Sequence, residues 1–77
     1  MTKVLVDSKS DSKLIEMIHW CYDTVDEVSG PSGGWDWDFV RTSDKRVANI
    51  PWEIRKNMIN FTFKSKEWAT IFSLKWL

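Results

Sequence analysis

Two acidic residues, Asp36 and Asp38, have the types and the spacing that could support chemistry in this chain of 77 residues. They alternate with Trp35, Trp37 and Phe39, so on a β-strand both carboxylates project from the same face. A carboxylate pair can bind a cation or act as acid and base. No histidine or third carboxylate lies near them in the sequence. A solvated strand face is therefore the simpler interpretation.

His19 and Cys21, the single histidine and the single cysteine, are also two residues apart. On a helix they point about 160° away from each other, so they can neither share a metal ion nor form a nucleophile–base pair. We expect Cys21 to be a small buried side chain and His19 to lie on the surface. We therefore predict no catalytic, metal or cofactor site, and a protein that is not an enzyme.

Residues 29–34, Ser-Gly-Pro-Ser-Gly-Gly, form the one glycine-rich stretch. They match neither the dinucleotide-binding fingerprint nor the phosphate-binding P-loop. We interpret them as a loop that lets the chain reverse after a helix, with Gly30 ending that helix and Pro31 preventing its return.

The elements around these residues follow from the hydrophobic periodicity. Val4-Leu5-Val6 predicts a first strand. Apolar residues then recur at spacings of three and four from Leu14 to Val28, which predicts a helix over residues 12–28. Ser10 or Asp11 is the expected N-cap of this helix.

Later segments alternate or turn. Residues 35–39 and 58–64 alternate and predict strands, and residues 46–50 predict the returning strand of a hairpin after a turn at residues 42–45. Pro51 can open one helical turn, and Ser65 can cap a final helix that runs to about residue 75. The spacing of Phe72, Leu74 and Trp76 also fits a strand.

The predicted order is thus β-α-β-β-β-α in a single domain, residues 1–77. It corresponds to an α+β fold with a small antiparallel sheet of three to four strands and two helices on one face. The net charge is zero, but residues 7–38 carry eight acidic and two basic side chains, whereas residues 41–77 carry eight basic and three acidic ones. Such asymmetry indicates either a charged partner or two halves that complement each other within the fold.

The six tryptophans are the most informative residues. Trp20 lies at the edge of the apolar helix face, and Trp52 lies in a short charged segment. A tryptophan flanked by charge is typical of binding hot spots, although either ring could instead cover the edge of a small core. The predicted protein-binding residues are Glu16, Trp20, Asp23, Glu27 and Trp52.

An alternative is binding of nucleic acid by the basic half, with Trp52 stacking on a base. The residues predicted for this role are Arg41, Arg46, Arg55 and Lys56. The net charge of zero argues against strong binding of phosphate.

The segment from Phe61 to Trp76, Phe-Thr-Phe-Lys-Ser-Lys-Glu-Trp-Ala-Thr-Ile-Phe-Ser-Leu-Lys-Trp, resembles a pattern in small uncharacterised proteins of tailed bacteriophages. Those proteins end in an aromatic strand, an acidic-Ala helix start and Phe-x-Leu-x-aromatic. The resemblance covers about a fifth of the chain and carries no catalytic residue. It implies a phage origin, the cytoplasm of a bacterial host, and a role in host takeover or anti-defence through binding of a host or phage protein.

No run approaches the roughly 18 apolar residues of a membrane span. The N-terminal segment is interrupted by charge too early to be a signal peptide, and a lone cysteine fits a reducing compartment. We therefore expect a soluble cytoplasmic protein with no membrane partner. A domain so small and rich in aromatic residues could also bury spare apolar surface in a homodimer.

Overall fold

The computed structural model describes residues 2–30, 32–41 and 43–77. Three strands form one antiparallel sheet in the order β1-β3-β2, and the α+β class is confirmed. Pro31 and Thr42, for which we predicted a loop and a turn, lie outside the described residues. The elements are β1 (Thr2–Asp7), α1 (Asp11–Thr24), β2 (Trp35–Phe39), a 3-10 turn (Lys45–Val47), α2 (Trp52–Arg55), β3 (Met58–Phe63) and α3 (Lys66–Trp76).

The core lies on one face of the sheet, below α1 and α3. On the central strand β3, the alternating side chains of Ile59, Phe61 and Phe63 are almost fully buried. Helix α1 adds Met17 and Cys21 to the same cluster, and α3 adds Ala69 and Phe72, so the predicted placement of two helices on one face is confirmed. Each large apolar side chain buried in this way contributes about 1.5–3 kcal/mol to folding.

Helix α1 begins as predicted and ends four residues early. The Ser10 hydroxyl caps its first turn by accepting a hydrogen bond from the Lys13 N–H at 3.3 Å. At the other end the N–H groups of Val25 and Asp26 both donate to the Cys21 carbonyl, at 2.9 and 3.1 Å. The helix stops at Thr24 because the Asp26 side chain then binds the backbone of the following loop. The predicted helix over residues 12–28 is therefore too long.

The predicted strand at residues 46–50 is wrong. The sheet has three strands among the described residues, and the order β-α-β-β-β-α loses its third strand. Asp44 accepts a hydrogen bond from the Arg46 N–H at 2.9 Å and caps the 3-10 turn at Lys45–Val47. Short acidic side chains compete in this way for nearby backbone N–H groups and favour turns over strands. The helical turn predicted after Pro51 is confirmed as α2, and the C-terminal segment is helical to Trp76.

Helices α1 and α3, whose side chains build the core cluster, lie on the first face of the sheet and leave the second face without them. Its side chains alternate with those of the core and include Lys3, Leu5, Asp36, Asp38, Asn60 and Thr62. Met58 shares this face and is 8% exposed, and Val47 of the 3-10 turn is fully buried although it lies outside the main cluster. We infer that the connection between β2 and β3 covers one end of the face. This second face is called the open face below.

Candidate functional site

Helix α1 carries only part of the predicted acidic face. Glu16 and Asp23 are exposed, and Glu16 lies 3.5 Å from the ammonium group of Lys13. Glu27 lies beyond the end of the helix, so the predicted stripe of four residues is one residue shorter than its spacing indicated. Trp20 is half-buried and packs against the core.

Trp52 is exposed on α2. The side chain retains 57% of its accessible surface, and the neighbouring Ile54 retains 46%. The guanidinium carbon of Arg55 lies 5.8 Å from the centre of the indole ring, which is a cation–π distance. The Arg55 Nε is shielded from solvent and has no hydrogen-bond partner in the described part of the chain. A rigid aromatic ring and a cation are thus presented together on a single helical turn.

The four predicted basic residues fall into two groups. Arg41 lines a polar groove on the open face. Arg46 also lies at this face, because its Nη2 donates a hydrogen bond to the Asn60 side chain at 2.5 Å. Arg55 belongs to α2, and the exposed Lys56 follows it directly. Among the described residues, the four basic side chains therefore do not line one common groove.

Arg46 is already paired. Its guanidinium donates to both carboxylate oxygens of Asp44, at 3.1 and 2.7 Å. These hydrogen bonds, with the positive charges of Arg46 and Lys3, lower the pKa of Asp44 to about 2, and the same contact raises the pKa of Arg46. Two-point pairing of this kind is the stronger form of a charged hydrogen bond. Arg46 therefore contributes little free positive charge to the open face.

A polar groove of about 510 Å³ runs along the open face beside β2. The carboxylates of Asp36 and Asp38 line it, and each accepts a hydrogen bond from the N–H of the next residue at 2.8 Å. Lys3 and Arg41 line the same groove, so its charges are mixed. The two aspartates thus share one face as predicted. The backbone N–H groups of the residues that follow them already use part of their capacity to accept hydrogen bonds.

The other two residues considered for chemistry are separated. Cys21 is fully buried, and burial raises the pKa of its thiol to about 12. His19 is exposed on α1. The described residues contain no group of three or more histidine, cysteine, aspartate or glutamate side chains that could hold a metal ion.

Sequence reasoning missed an apolar groove between β1 and α3. The groove has a volume of about 670 Å³, and its floor and walls include Val4, Leu5 and Ala69. Leu74 and Leu77 also line it, with 82% and 70% of their surfaces exposed. The available signal was the spacing Thr70-Leu74-Leu77, which forms a second stripe once the segment is helical. This stripe lies beside the core-facing stripe of Ala69, Phe72 and the partly buried Trp76.

Comparison of the chain with protein-family models, with curated proteins and with solved structures finds no match. Within the described ranges, no helix has the length and apolar character that crossing a membrane requires.

Proposed function

We propose that this protein acts by binding another protein, with Trp52 as the central anchor. The observation that supports this proposal is the exposed indole of Trp52 beside the guanidinium of Arg55. Tryptophan and arginine are enriched among the few residues that supply most of the binding free energy at protein interfaces. Ile54, exposed on the same turn, adds apolar area next to the ring.

The charge of α1 favours a partner with a basic surface. Asp11, Glu16 and Asp23 are all exposed on this helix, and its last turn carries no basic residue. Complementary charge speeds association and disfavours wrong partners more than it adds affinity. A host protein that binds DNA presents such a basic surface, which an acidic helix can occupy in place of nucleic acid.

The biological setting that we propose rests on the resemblance of residues 61–76 to small tailed-phage proteins. In that setting the chain is a phage accessory protein that works in the cytoplasm of the bacterial host. Its role is host takeover or anti-defence, by binding and blocking a host protein. Identification of the partner tests each part of this setting.

The test is capture of partners from nuclease-treated bacterial lysate by the immobilised protein, followed by measurement of affinity for the purified partner. Truncation of a hot-spot tryptophan costs about 2 kcal/mol or more, so Trp52→Ala should weaken binding about 30-fold. Phe39→Ala is the matched control, because Phe39 is an aromatic residue with nearly the same exposure, 58%. Both variants should unfold at the denaturant concentration of the parent protein.

Charge reversal of α1 tests the partner's chemistry. Glu16→Lys with Asp23→Lys should slow association with a basic partner and weaken its dependence on salt. Retention of no protein, or equal affinity of Trp52→Ala and the parent protein, contradicts the proposal.

Nucleic-acid binding is the second candidate, favoured by the adjacency of Trp52, Arg55 and Lys56. A ring available for stacking beside two positive charges suits a single strand. This candidate predicts binding of a labelled oligonucleotide that weakens steeply with salt and with Arg55→Ala. Arg46→Ala should have little effect, since Asp44 already neutralises Arg46. An oligonucleotide that fails to bind at low salt excludes this candidate.

A further inference from the structure

One edge of the sheet is open along β1. This strand pairs with β3 on one side over its whole length, Thr2 to Asp7. No strand among the described residues pairs with its other side. Unpaired backbone N–H and C=O groups on a regular edge strand are a template for another strand, and proteins usually blunt such edges with proline, bulges or central charges. Within β1, the two charged side chains stand near the ends and the centre is apolar.

The side chains of β1 are complementary to those of a second copy of β1 that runs antiparallel to it. When two copies pair antiparallel about a twofold axis at Leu5, Leu5 faces its own copy and Val4 faces Val6. In the same register Lys3 faces Asp7 on both sides of the axis. Opposite charges in directly facing cross-strand positions stabilise a sheet, whereas like charges there destabilise it. Because a shift by one residue would lose the facing charges and exchange the faces, this register is specified by the side chains.

The helix above the edge supplies matching apolar surface. The groove beside β1 is lined by Leu74 and Leu77 of α3, which are among the most exposed large apolar side chains of the described residues. A twofold axis through Leu5 and perpendicular to the sheet keeps α3 and its copy on the same side. It therefore brings the two copies of this apolar edge toward each other.

We propose that the protein forms a homodimer by antiparallel pairing of β1 with β1 of a second copy, in the register that sets Lys3 against Asp7. The product is one six-stranded sheet with the order β2-β3-β1-β1-β3-β2. Leu74 and Leu77 of both copies close the interface above the paired strands. The surface around Trp52 does not line the groove at this edge, so dimerisation is independent of the protein binding proposed above.

Charge exchange tests the register. In Lys3→Asp both facing pairs become acid against acid, and in Asp7→Lys both become base against base. Each variant should raise the dissociation constant of the dimer at least about tenfold, measured by sedimentation over a range of concentrations. The double variant, Lys3→Asp with Asp7→Lys, restores two opposite pairs and should recover most of the affinity. Glu53→Lys, on α2, is the control for a charge change at an exposed site elsewhere.

Recovery of dimer affinity in the double variant distinguishes charge pairing between the strands from a local effect at position 7. Asp7 also accepts a hydrogen bond at 3.0 Å from the N–H of Lys9, a residue whose φ is 63°. This bond is lost in Asp7→Lys and in the double variant alike. Tighter association of the double variant than of Asp7→Lys alone therefore reports the pairing with position 3.

Cross-linking supplies a second, geometric test. Directly facing residues of antiparallel strands have Cβ atoms about 4.5–5.5 Å apart, so a cysteine at position 5 comes close to its own copy. Leu5→Cys should form a covalent dimer on mild oxidation, while the buried Cys21 does not react. In Lys3→Cys the two thiols lie about four residues apart along the strands, roughly 13 Å, and should not cross-link.

A covalent dimer of Leu5→Cys, together with rescue by the double variant, supports the proposal. A monomer at every concentration overturns it. A dimer that is indifferent to both single charge changes, or that cross-links as well through position 3 as through position 5, overturns the edge and the register. Trp52→Ala should leave the dimer intact, so failure of either proposal can be recognised without the other.

Discussion

Trp20 on α1 meets Trp68 on α3 edge to face, with ring centroids 6.4 Å apart and ring planes at 79°. Trp20 also lies 5.9 Å from Phe72, which is fully buried at the centre of the core. This ring therefore joins the two helices that cover the sheet. Its acidic neighbours along the helix, Glu16 and Asp23, are exposed, but the indole itself packs inward.

Trp20→Ala should destabilise the protein. Removal of a packed aromatic ring leaves a cavity, and for a half-buried tryptophan we expect a loss of about 2–4 kcal/mol in the free energy of unfolding. Urea unfolding followed by circular dichroism measures this loss. Trp52→Ala serves as the matched control and should change the free energy by less than about 0.5 kcal/mol, because its ring is largely exposed. Equal losses in the two variants would show that Trp20 does not join the helices.

The sequence predicted best where one periodicity was strong. The alternation through Ile59, Phe61 and Phe63 identified the central strand, and the spacing between Leu14 and Cys21 identified α1, because burial of one face imposes those periods. Trp35, Trp37 and Phe39 show the limit of the same argument. Trp35 is 1% exposed, but Phe39 is 58% exposed, since the helices do not cover the far end of β2. Alternation indicates a shared face but not how much of that face is covered.

The sequence predicted less well where single side chains decide the backbone. Asp26 ends α1 and Asp44 initiates the 3-10 turn, although the apolar residues around both fit longer regular elements. The exposures of Trp20 and Trp52 depend on which residues pack across from them, so two tryptophans with similar charged neighbours differ. The groove at Leu74 depended on the choice between helix and strand for the last segment. Such features arise from tertiary contacts, which periodicity does not specify.

Asp26→Ala should destabilise the loop that leads into β2. The Asp26 carboxylate accepts hydrogen bonds from the N–H groups of Val28 at 3.0 Å and Gly34 at 2.9 Å. Asp26→Ala leaves these two N–H groups without their hydrogen-bond acceptor, and this loss costs about 1–3 kcal/mol in the free energy of unfolding. Asp23→Ala removes an exposed carboxylate nearby and should cost less than about 0.5 kcal/mol. Chemical denaturation of both variants makes the comparison, and equal small losses would contradict this role of Asp26.

Gly33→Ala should be damaging in the same loop for a steric reason. A Cβ atom at position 33 would collide with the carbonyl oxygen of Val28, which is backbone and cannot rotate away. We expect a loss of at least about 2 kcal/mol in the free energy of unfolding, as for other substitutions that force backbone strain. At Gly30 the space is open, but φ is 90°, so Gly30→Ala should cost about 1–2 kcal/mol through conformation alone. A smaller loss at position 33 than at position 30 would contradict the close approach.

Asp44 should make stability depend on pH at the acid end. Its pKa in the folded protein is about 2, below the ordinary 3.8, because of the hydrogen bonds from Arg46. A lowered pKa means that the contribution to stability is complete above about pH 4 and is lost as the pH falls toward 2. The difference in stability between the parent protein and Asp44→Asn should therefore shrink over that interval. Added salt should reduce the difference, since the pair lies at the surface, and a difference that stays constant from pH 5 to pH 2 would contradict this role.

Cys21 should be inert in the folded protein. Its thiol is fully buried, and burial raises its pKa to about 12, so the reactive thiolate is scarce at neutral pH. Reaction with a disulfide reagent at pH 8 should be slow in buffer and should accelerate with urea in parallel with global unfolding. Leu5→Cys supplies an internal reference, because its added thiol lies at the edge strand and should react in the folded protein. Fast modification of Cys21 that is independent of urea would instead show that α1 opens locally while the sheet stays folded.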